Sequence, residues 1–478
     1  MKIKFNFINI FFFISAAISF VVTLNFYNNI KNGYELILLF PLFFCIIFLF
    51  TFGKLNIKDS YVPLTTFIFI MVQSIRFIVM PPIIAMAGEN NGTNFLNPTI
   101  SSIRLATILM IFDIFSTTLV MYFFSLKKKV KVKKIMRIEG NRYIYTSFLF
   151  FSLILYFFVS RSVKLFHFFI VPLTGDVRIG DITDTPVVIT QQIIMISMIL
   201  LFLCAVSYFS KKYEYKKENF YFYISLIFAI INVGIITGER RSGQVFSAFC
   251  SIWILTRIYP KKTKKIIFII AGVALIILSF MSIYKISNAV AYSSYANAIR
   301  NSQFDISSLS STLQSYFQGP QDLAVIIEFK NTVHLGIENF IFDLSRSIVP
   351  ISFFIKNIGT VTSEIFNNYL YNGFQKTGHV ISSTAYSYLY FGILLTPLFS
   401  IVNIIISVFF ERKMTSSNSY EMSYMWAYLF IRVAINLTAN TPALINQITI
   451  MLCTGGLLFR VAKLSGNSIK DKTLLQFK

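Results

Sequence analysis

The sequence has little charge. Of 478 residues only 13% are Asp, Glu, Lys or Arg, about half of what a soluble domain carries. Acidic residues are the scarcer kind, 20 against 43 Lys and Arg. This shortage excludes a soluble enzyme and also a disordered chain, which would be rich in charge and poor in apolar residues. There are four cysteines, Cys45, Cys204, Cys250 and Cys453, all within apolar runs and without metal-ligand spacing. They point to no disulfide framework and no zinc site, and read as apolar fillers. Gly-rich phosphate loops, His-Glu-x-x-His and Gly-x-Ser-x-Gly are all missing. No recognisable motif hydrolyses a nucleotide, so the energy for any reaction comes from the substrate. No internal repeat or low-complexity tract stands out.

What the chain does have is apolar bulk. Hydrophobic residues make up 55% of it, Phe alone contributes 54, and the mean hydropathy is +0.68. A helix needs about 20 apolar residues to cross a bilayer. Apolar runs fall at 8–26, 34–52, 62–82, 102–125, 144–160, 188–209, 219–237, 244–258, 266–285, 384–410, 421–437 and 444–462. They predict an all-α polytopic membrane protein with twelve spans. The first run follows Lys2 and Lys4 and lacks a small-residue cleavage site, so it is expected to be a span rather than a removed signal.

The formal net charge is +23. In a soluble protein that would suggest nucleic acid, but multi-spanning proteins load Lys and Arg into cytoplasmic loops. If the N-terminus is cytoplasmic, the loops after even-numbered spans carry Lys54 and Lys58, the block Lys127 to Arg142, Lys211–Lys212 with Lys216–Lys217, Lys261 to Lys265, and Arg412 with Lys413. The tail adds Lys463, Lys470, Lys472 and Lys478. Every strongly basic loop then lies on one side. Both termini are expected in the cytoplasm, and no nucleic-acid partner is expected.

On the outer side, the segments 83–101 and 161–187 are polar. A third, 286–383, is too long for a mere connector. It separates spans one to nine (1–285) from spans ten to twelve and the tail (384–478). Within it Phe340, Ile341, Leu344 and Ile348 recur at helical spacing, with Asp343 and Arg346 off that face. The pattern predicts an amphipathic helix lying on the outer membrane–water interface.

Ionisable groups inside spans are costly and point by default to function. Arg76, Arg104 and Arg432 lie near the outer ends of three spans, and Arg240 and Arg241 lie in the tight outer turn Thr237-Gly-Glu-Arg-Arg-Ser-Gly-Gln244. Arg presents a rigid donor fork that matches phosphate oxygens. The structural alternatives are snorkelling to the headgroups and a pair such as Arg76 with Asp113. The three histidines, His167, His334 and His379, map to outer segments. A histidine there is either an isolated surface group or an acid, base or phosphate donor.

The layout resembles the Wzy-like family of O-antigen and capsular repeat-unit polymerases. Three motifs carry the resemblance: Arg76 with Pro81–Pro82, the turn Gly238 to Gly243, and the segment Gly378-His-Val-Ile-Ser-Ser-Thr-Ala-Tyr-Ser-Tyr-Leu-Tyr-Phe-Gly392. The resemblance implies a C-type glycosyltransferase-like fold in the bacterial cytoplasmic membrane. It also implies a reaction at the outer face, in which a glycan on undecaprenyl pyrophosphate is passed to the non-reducing end of a lipid-linked repeat unit. Its partners would be lipid-linked glycans, membrane lipid and a protein that sets chain length, with no metal or cofactor. Arg240, Arg241, Arg76 and Arg432 would bind the pyrophosphate, and His379 or Glu239 would be the base. The family often has an acid a few positions before the Phe-Gly pair. Here Thr384, Ala385 and Tyr386 stand there, so the base stays unassigned. An O-antigen ligase shares the layout, and a polysaccharide flippase has a similar span number without needing so long an outer segment. A lipid-linked sugar transferase with an acidic pair in its first outer loop does not fit, because Tyr27 to Gly33 holds no acid.

If the Lys127 to Arg142 block only sets topology, Lys128→Ala and Lys133→Ala should leave activity within about twofold, since single surface charges matter little. A large loss of product in either variant would show a further role for the block.

Overall fold

In so apolar a chain, backbone N–H and C=O groups must find partners within the protein, and this sequence does so with helices. The structure, a computed structural model, describes residues 7–51, 63–88, 97–125, 137–160, 166–171, 173, 185–237, 241–286, 294–301, 305–355, 358–371 and 381–476. Apart from one two-stranded pairing, the described secondary structure is helical. Among the described residues, five helices are long and apolar enough to cross a membrane: Leu64–Ala87, Ile100–Phe124, Ile189–Lys216, Pro260–Tyr284 and Thr441–Gly466. Ile10–Asn25, Glu35–Leu49, Arg142–Phe158 and Asn219–Gly234 are shorter apolar helices.

The run at 384–410 is broken in two. Ser383–Phe391 and Leu398–Ser416 are separate helices. Gly392 between them has φ +74, a conformation that favours glycine. Pro397, just before the second helix, could not extend the first.

The chain divides into two compact units. One comprises Met1–Lys129, Phe304–Glu411 and Val433–Thr449; the other comprises Val130–Gln303, Arg412–Arg432 and Ile450–Lys478.

In the first unit the core joins Tyr34, Phe40 and Phe77 to Met110 and to Leu323 through Ile327. Leu323 through Ile327 belong to the helix Pro320–Thr332, which is buried on all sides over most of its length and packs on Ile100–Ser125 and Ser383–Phe391. This helix of the long segment 286–383 is therefore interior. The expected amphipathic helix forms as Ile337–Ser347, and the residue off its apolar stripe is not left to solvent. Asp343 is buried, accepting from the Thr362 N–H at 3.0 Å and the Tyr386 hydroxyl at 2.7 Å. Phe340 also turns inward, onto Tyr386, Tyr390, Phe391 and Phe399. Ile337 and Ile341 remain exposed, and Phe353 and Phe354 of the following helix, Val349–Ile355, continue the apolar face. A carboxylate with two donors is cheaper to bury than its charge suggests, so the polar edge packs inward and the apolar edge faces out.

Where helices stop, side chains take over their backbone bonds. The Glu411 carboxylate accepts from the N–H groups of Leu64 (2.8 Å) and Thr65 (2.9 Å) and from the Thr65 hydroxyl (2.6 Å), capping the helix that follows Pro63. Asn403 Nδ2 donates to the carbonyls of Leu437 (3.0 Å) and Ala439 (2.9 Å), and its Oδ1 accepts from Thr441 (3.1 Å).

In the second unit, Thr185–Lys216, Asn219–Gly234, Arg241–Ile258 and Thr263–Ile286 are joined by short connections and pack on their chain neighbours. Asn232 donates to Ser251 (3.0 Å) and Tyr424 (3.2 Å). The Glu421 carboxylate accepts from the N–H groups of Glu139 (2.9 Å) and Gly140 (3.1 Å) and from the Tyr145 hydroxyl (3.0 Å). It does for the turn before Arg142–Leu155 what Glu411 does in the other unit.

Glu411→Ala leaves the Leu64 and Thr65 donors without this acceptor. We expect it to lower stability by about 1–3 kcal/mol, read as a reduced thermal midpoint of the purified protein in detergent. An unchanged midpoint would mean that the cap contributes nothing.

Candidate functional site

Arg76 lies in the π-helical turn Ile75–Val79, just before Pro81 and Pro82. Neither proline has an N–H to donate, so the carbonyls one turn back lose their helical partners. The Ile78 carbonyl accepts instead from Ser19 Oγ at 2.6 Å. Widened turns of this kind are frequent at functional positions.

Arg76 is completely buried. Its Nη1 lies 3.6 Å from Asp113 Oδ2 and donates to Gln73 Oε1 at 3.3 Å. Nη2 donates to the Gln318 carbonyl at 3.3 Å. Gln318 has φ 57 and ends the helix Ile306–Phe317. The hydroxyls of Ser400 and Thr384 face the same Asp113 carboxylate. Arg76 Nε, both Asp113 oxygens and Thr384 Oγ1 have no hydrogen-bond partner among the described residues. The sequence alternative of an Arg76–Asp113 pair is therefore realised. A buried pair with open hydrogen-bonding capacity is a poor stabiliser, and ionisable groups at such depth point to function.

The second unit holds two more of the expected arginines. Arg241 opens the helix Arg241–Ile258, and its Nη1 donates to Ser282 Oγ at 3.3 Å. Five residues further on, the Phe246 ring lies 5.4 Å from the Arg432 guanidinium. Arg432 also stacks over the Tyr428 ring at 5.6 Å and donates to its hydroxyl at 2.7 Å. Both arginines thus meet the first turns of one helix. Aromatic faces hold a guanidinium without neutralising it, and the helix N-terminus adds partial positive charge. The chain enters this turn through the strand Ile235–Thr237, antiparallel to Phe166–Phe168, with His167 opposite Ile236. Phe169, at φ 61, lays its ring 2.6 Å from where a Cβ on Gly234 would stand, so a larger residue there would have to push the ring aside.

Arg240, Glu239 and His379 lie outside the described residues. Arg104 is exposed and paired with Glu35 at 3.3 Å. It lines an open groove of about 830 Å³ together with Thr99, Ile100, Ser101, Leu105 and Ile108. His334 is exposed. Lys330 donates to the Tyr388 carbonyl at 2.6 Å and sits 4.3 Å over its ring; partial burial pulls its ammonium below the ordinary lysine range. Among the described residues no three His, Cys, Asp or Glu side chains gather as metal ligands.

Three features were not read from the sequence: the polar residues around Arg76, the inward Asp343, and the carboxylate caps. Asp343 shows how the miss arose. It lies off the apolar stripe, which normally means solvent, and only the fold reveals that Tyr386 supplies its donor.

Comparison of the chain with protein families, curated proteins and solved structures finds no match.

Removing one partner of a buried ion pair leaves an uncompensated charge, at a cost of about 3–5 kcal/mol. Arg76→Ala and Asp113→Ala should each reduce the yield of folded protein sharply, and the double variant Arg76→Met, Asp113→Leu should restore it. If the restored protein also keeps full activity, the pair is structural only.

Proposed function

We propose that this chain is a glycosyltransferase of the bacterial cytoplasmic membrane that joins undecaprenyl-pyrophosphate-linked oligosaccharide repeat units into O-antigen or capsular polysaccharide. In this reading the chain crosses the membrane twelve times with both termini in the cytoplasm, and the reaction takes place at the outer face. The acceptor hydroxyl attacks C1 of the donor's first sugar. The C1–oxygen bond to pyrophosphate breaks, undecaprenyl pyrophosphate leaves with the electron pair, and a base takes the hydroxyl proton.

The observation that carries the proposal is that two arginines attend one helix: Arg241 opens Arg241–Ile258, and Arg432 packs on the Phe246 ring five residues further on. The leaving pyrophosphate gains negative charge in the transition state, and fixed cations in a partly dry site stabilise it before any rearrangement is needed. Arg240 would share this task, and the buried Arg76 would act from its own unit. The base is proposed as His379 or Glu239. The groove beside Arg104 pairs a guanidinium with the apolar side chains of Ile100, Leu105 and Ile108, which suits a phosphate joined to a hydrocarbon tail. A protein that sets chain length would be its partner.

An O-antigen ligase would use the same leaving group with a different acceptor, and a flippase would use no chemistry at all. A gel of surface glycan from a strain lacking the gene separates the three. We expect the ladder to be lost while a single repeat unit still reaches its normal acceptor. Long lipid-linked chains that never reach the acceptor would mean a ligase, and units trapped inside a flippase. Arg241→Ala should insert normally yet make roughly a hundredfold less polymer, the order of loss seen when one oxyanion donor is removed; normal polymer would remove the turn from the site.

A further inference from the structure

Away from the arginines, the second unit carries a concentrated positive face. The end of Thr185–Lys216 and the approach to Thr263–Ile286 contribute Lys211, Lys212, Lys216 and Lys217, and Lys261, Lys262, Lys264 and Lys265, with only Glu214 and Glu218 as acids alongside. The fold gathers four of these lysines around the first turn of Asn219–Gly234. Lys212 and Lys216 each lie 5.9 Å from the centre of the Tyr221 ring, and Lys212 also lies 4.6 Å over Tyr208. Lys262 sits 4.2 Å over Phe222 and 5.2 Å from Tyr213, and it donates to Asn219 Oδ1. Lys265 lies 4.6 Å over Tyr223 and donates to its hydroxyl at 2.6 Å.

The rings are themselves held in place. Buried Tyr259 meets Tyr213 at 5.1 Å and Phe222 at 5.2 Å, and its hydroxyl bonds Ser225 at 2.9 Å. Among the described residues, no ion pair involves any of the four lysines. Exposed Tyr215, Phe220 and Phe268 stand beside them. Tyrosine and other aromatic residues at the end of an apolar helix belong at the headgroup level of a bilayer. Several lysines clustered there, none of them in an ion pair among the described residues, match anionic lipid phosphate. The rings already carry ammonium groups on their faces, so they are not open platforms for nucleic-acid bases.

We propose that Lys212, Lys216, Lys262 and Lys265 form a seat for the phosphate headgroup of an anionic phospholipid. The aromatic rings fix the ammonium positions, and the lipid tails run beside the Asn219–Gly234 helix. The proposal does not depend on the glycosyltransferase reading.

The test is native mass spectrometry of the full-length protein in detergent, titrated with phosphatidylglycerol and, separately, with phosphatidylcholine. The wild type should retain phosphatidylglycerol selectively. The quadruple variant Lys212→Gln, Lys216→Gln, Lys262→Gln, Lys265→Gln should lose affinity on the order of a thousandfold, at roughly 1 kcal/mol per lysine. The corresponding quadruple arginine variant should keep it. All four side chains are at least partly exposed, and a matching elution profile on size exclusion checks that the variants fold. Retention that rises with ionic strength, equal retention of both lipids, or unchanged retention in the glutamine variant would overturn the proposal. Displacement of the lipid by millimolar inorganic phosphate would overturn it in favour of a free-phosphate site.

Discussion

A backbone amide or carbonyl inside a membrane protein has no water to turn to, and the irregular parts of this structure are arranged around that fact. A regular helix satisfies itself, so the informative places are those where a helix starts, stops or widens. At several of them a particular side chain takes over. Ser19 serves the Ile78 carbonyl that Pro82 leaves open, Glu411 serves the start at Leu64 and Thr65, and Glu421 serves the turn at Glu139 and Gly140. Asn403 spans the non-helical stretch after Tyr420–Ile435 by donating to two carbonyls at once. Helices in lipid gain little from the hydrophobic effect between them. Such polar bonds therefore help decide which helix neighbours which.

The same economy makes the surroundings of Arg76 unusual. Arg76, Asp113 and Thr384 lie together, each with buried polar atoms that have no hydrogen-bond partner among the described residues. The π turn before Pro81 and the left-handed Gln318 both shape this site, so two irregular backbone elements contribute to one charged cluster. In the other unit, Arg241 and Arg432 are held by a serine, a tyrosine and aromatic faces. The serine hydroxyl, the tyrosine and the rings fix where these two guanidinium groups point.

Much of this architecture was legible in the sequence, because helix periodicity and span length are set locally. The apolar runs at 62–82, 102–125 and 188–209 coincide with long helices, and the pairing of Arg76 with Asp113 stood among the alternatives. The broken helix near 392–397 was harder to see, since Gly392 and Pro397 sit within a run that stays apolar throughout. Orientation was hardest. Helical spacing predicted the Ile337–Ser347 helix, but which face turns inward depended on Thr362 and Tyr386, residues 19 and 43 positions away. Carboxylate caps such as Glu411 were likewise invisible, because its acceptor role is fixed by a contact 346 and 347 positions away.

The long segment before residue 383 cannot be treated as a detachable soluble domain. Its Pro320–Thr332 helix is buried on every side, and its Ile337–Ser347 helix turns a carboxylate inward and isoleucines outward. Expressed alone, the fragment would bare the apolar surface of the first helix and strand the Asp343 carboxylate without its Tyr386 donor. Aggregation is the expected fate of such a fragment in water. Antibodies, binders or crystallisation chaperones aimed at this region are therefore best raised against the whole chain in a lipid environment.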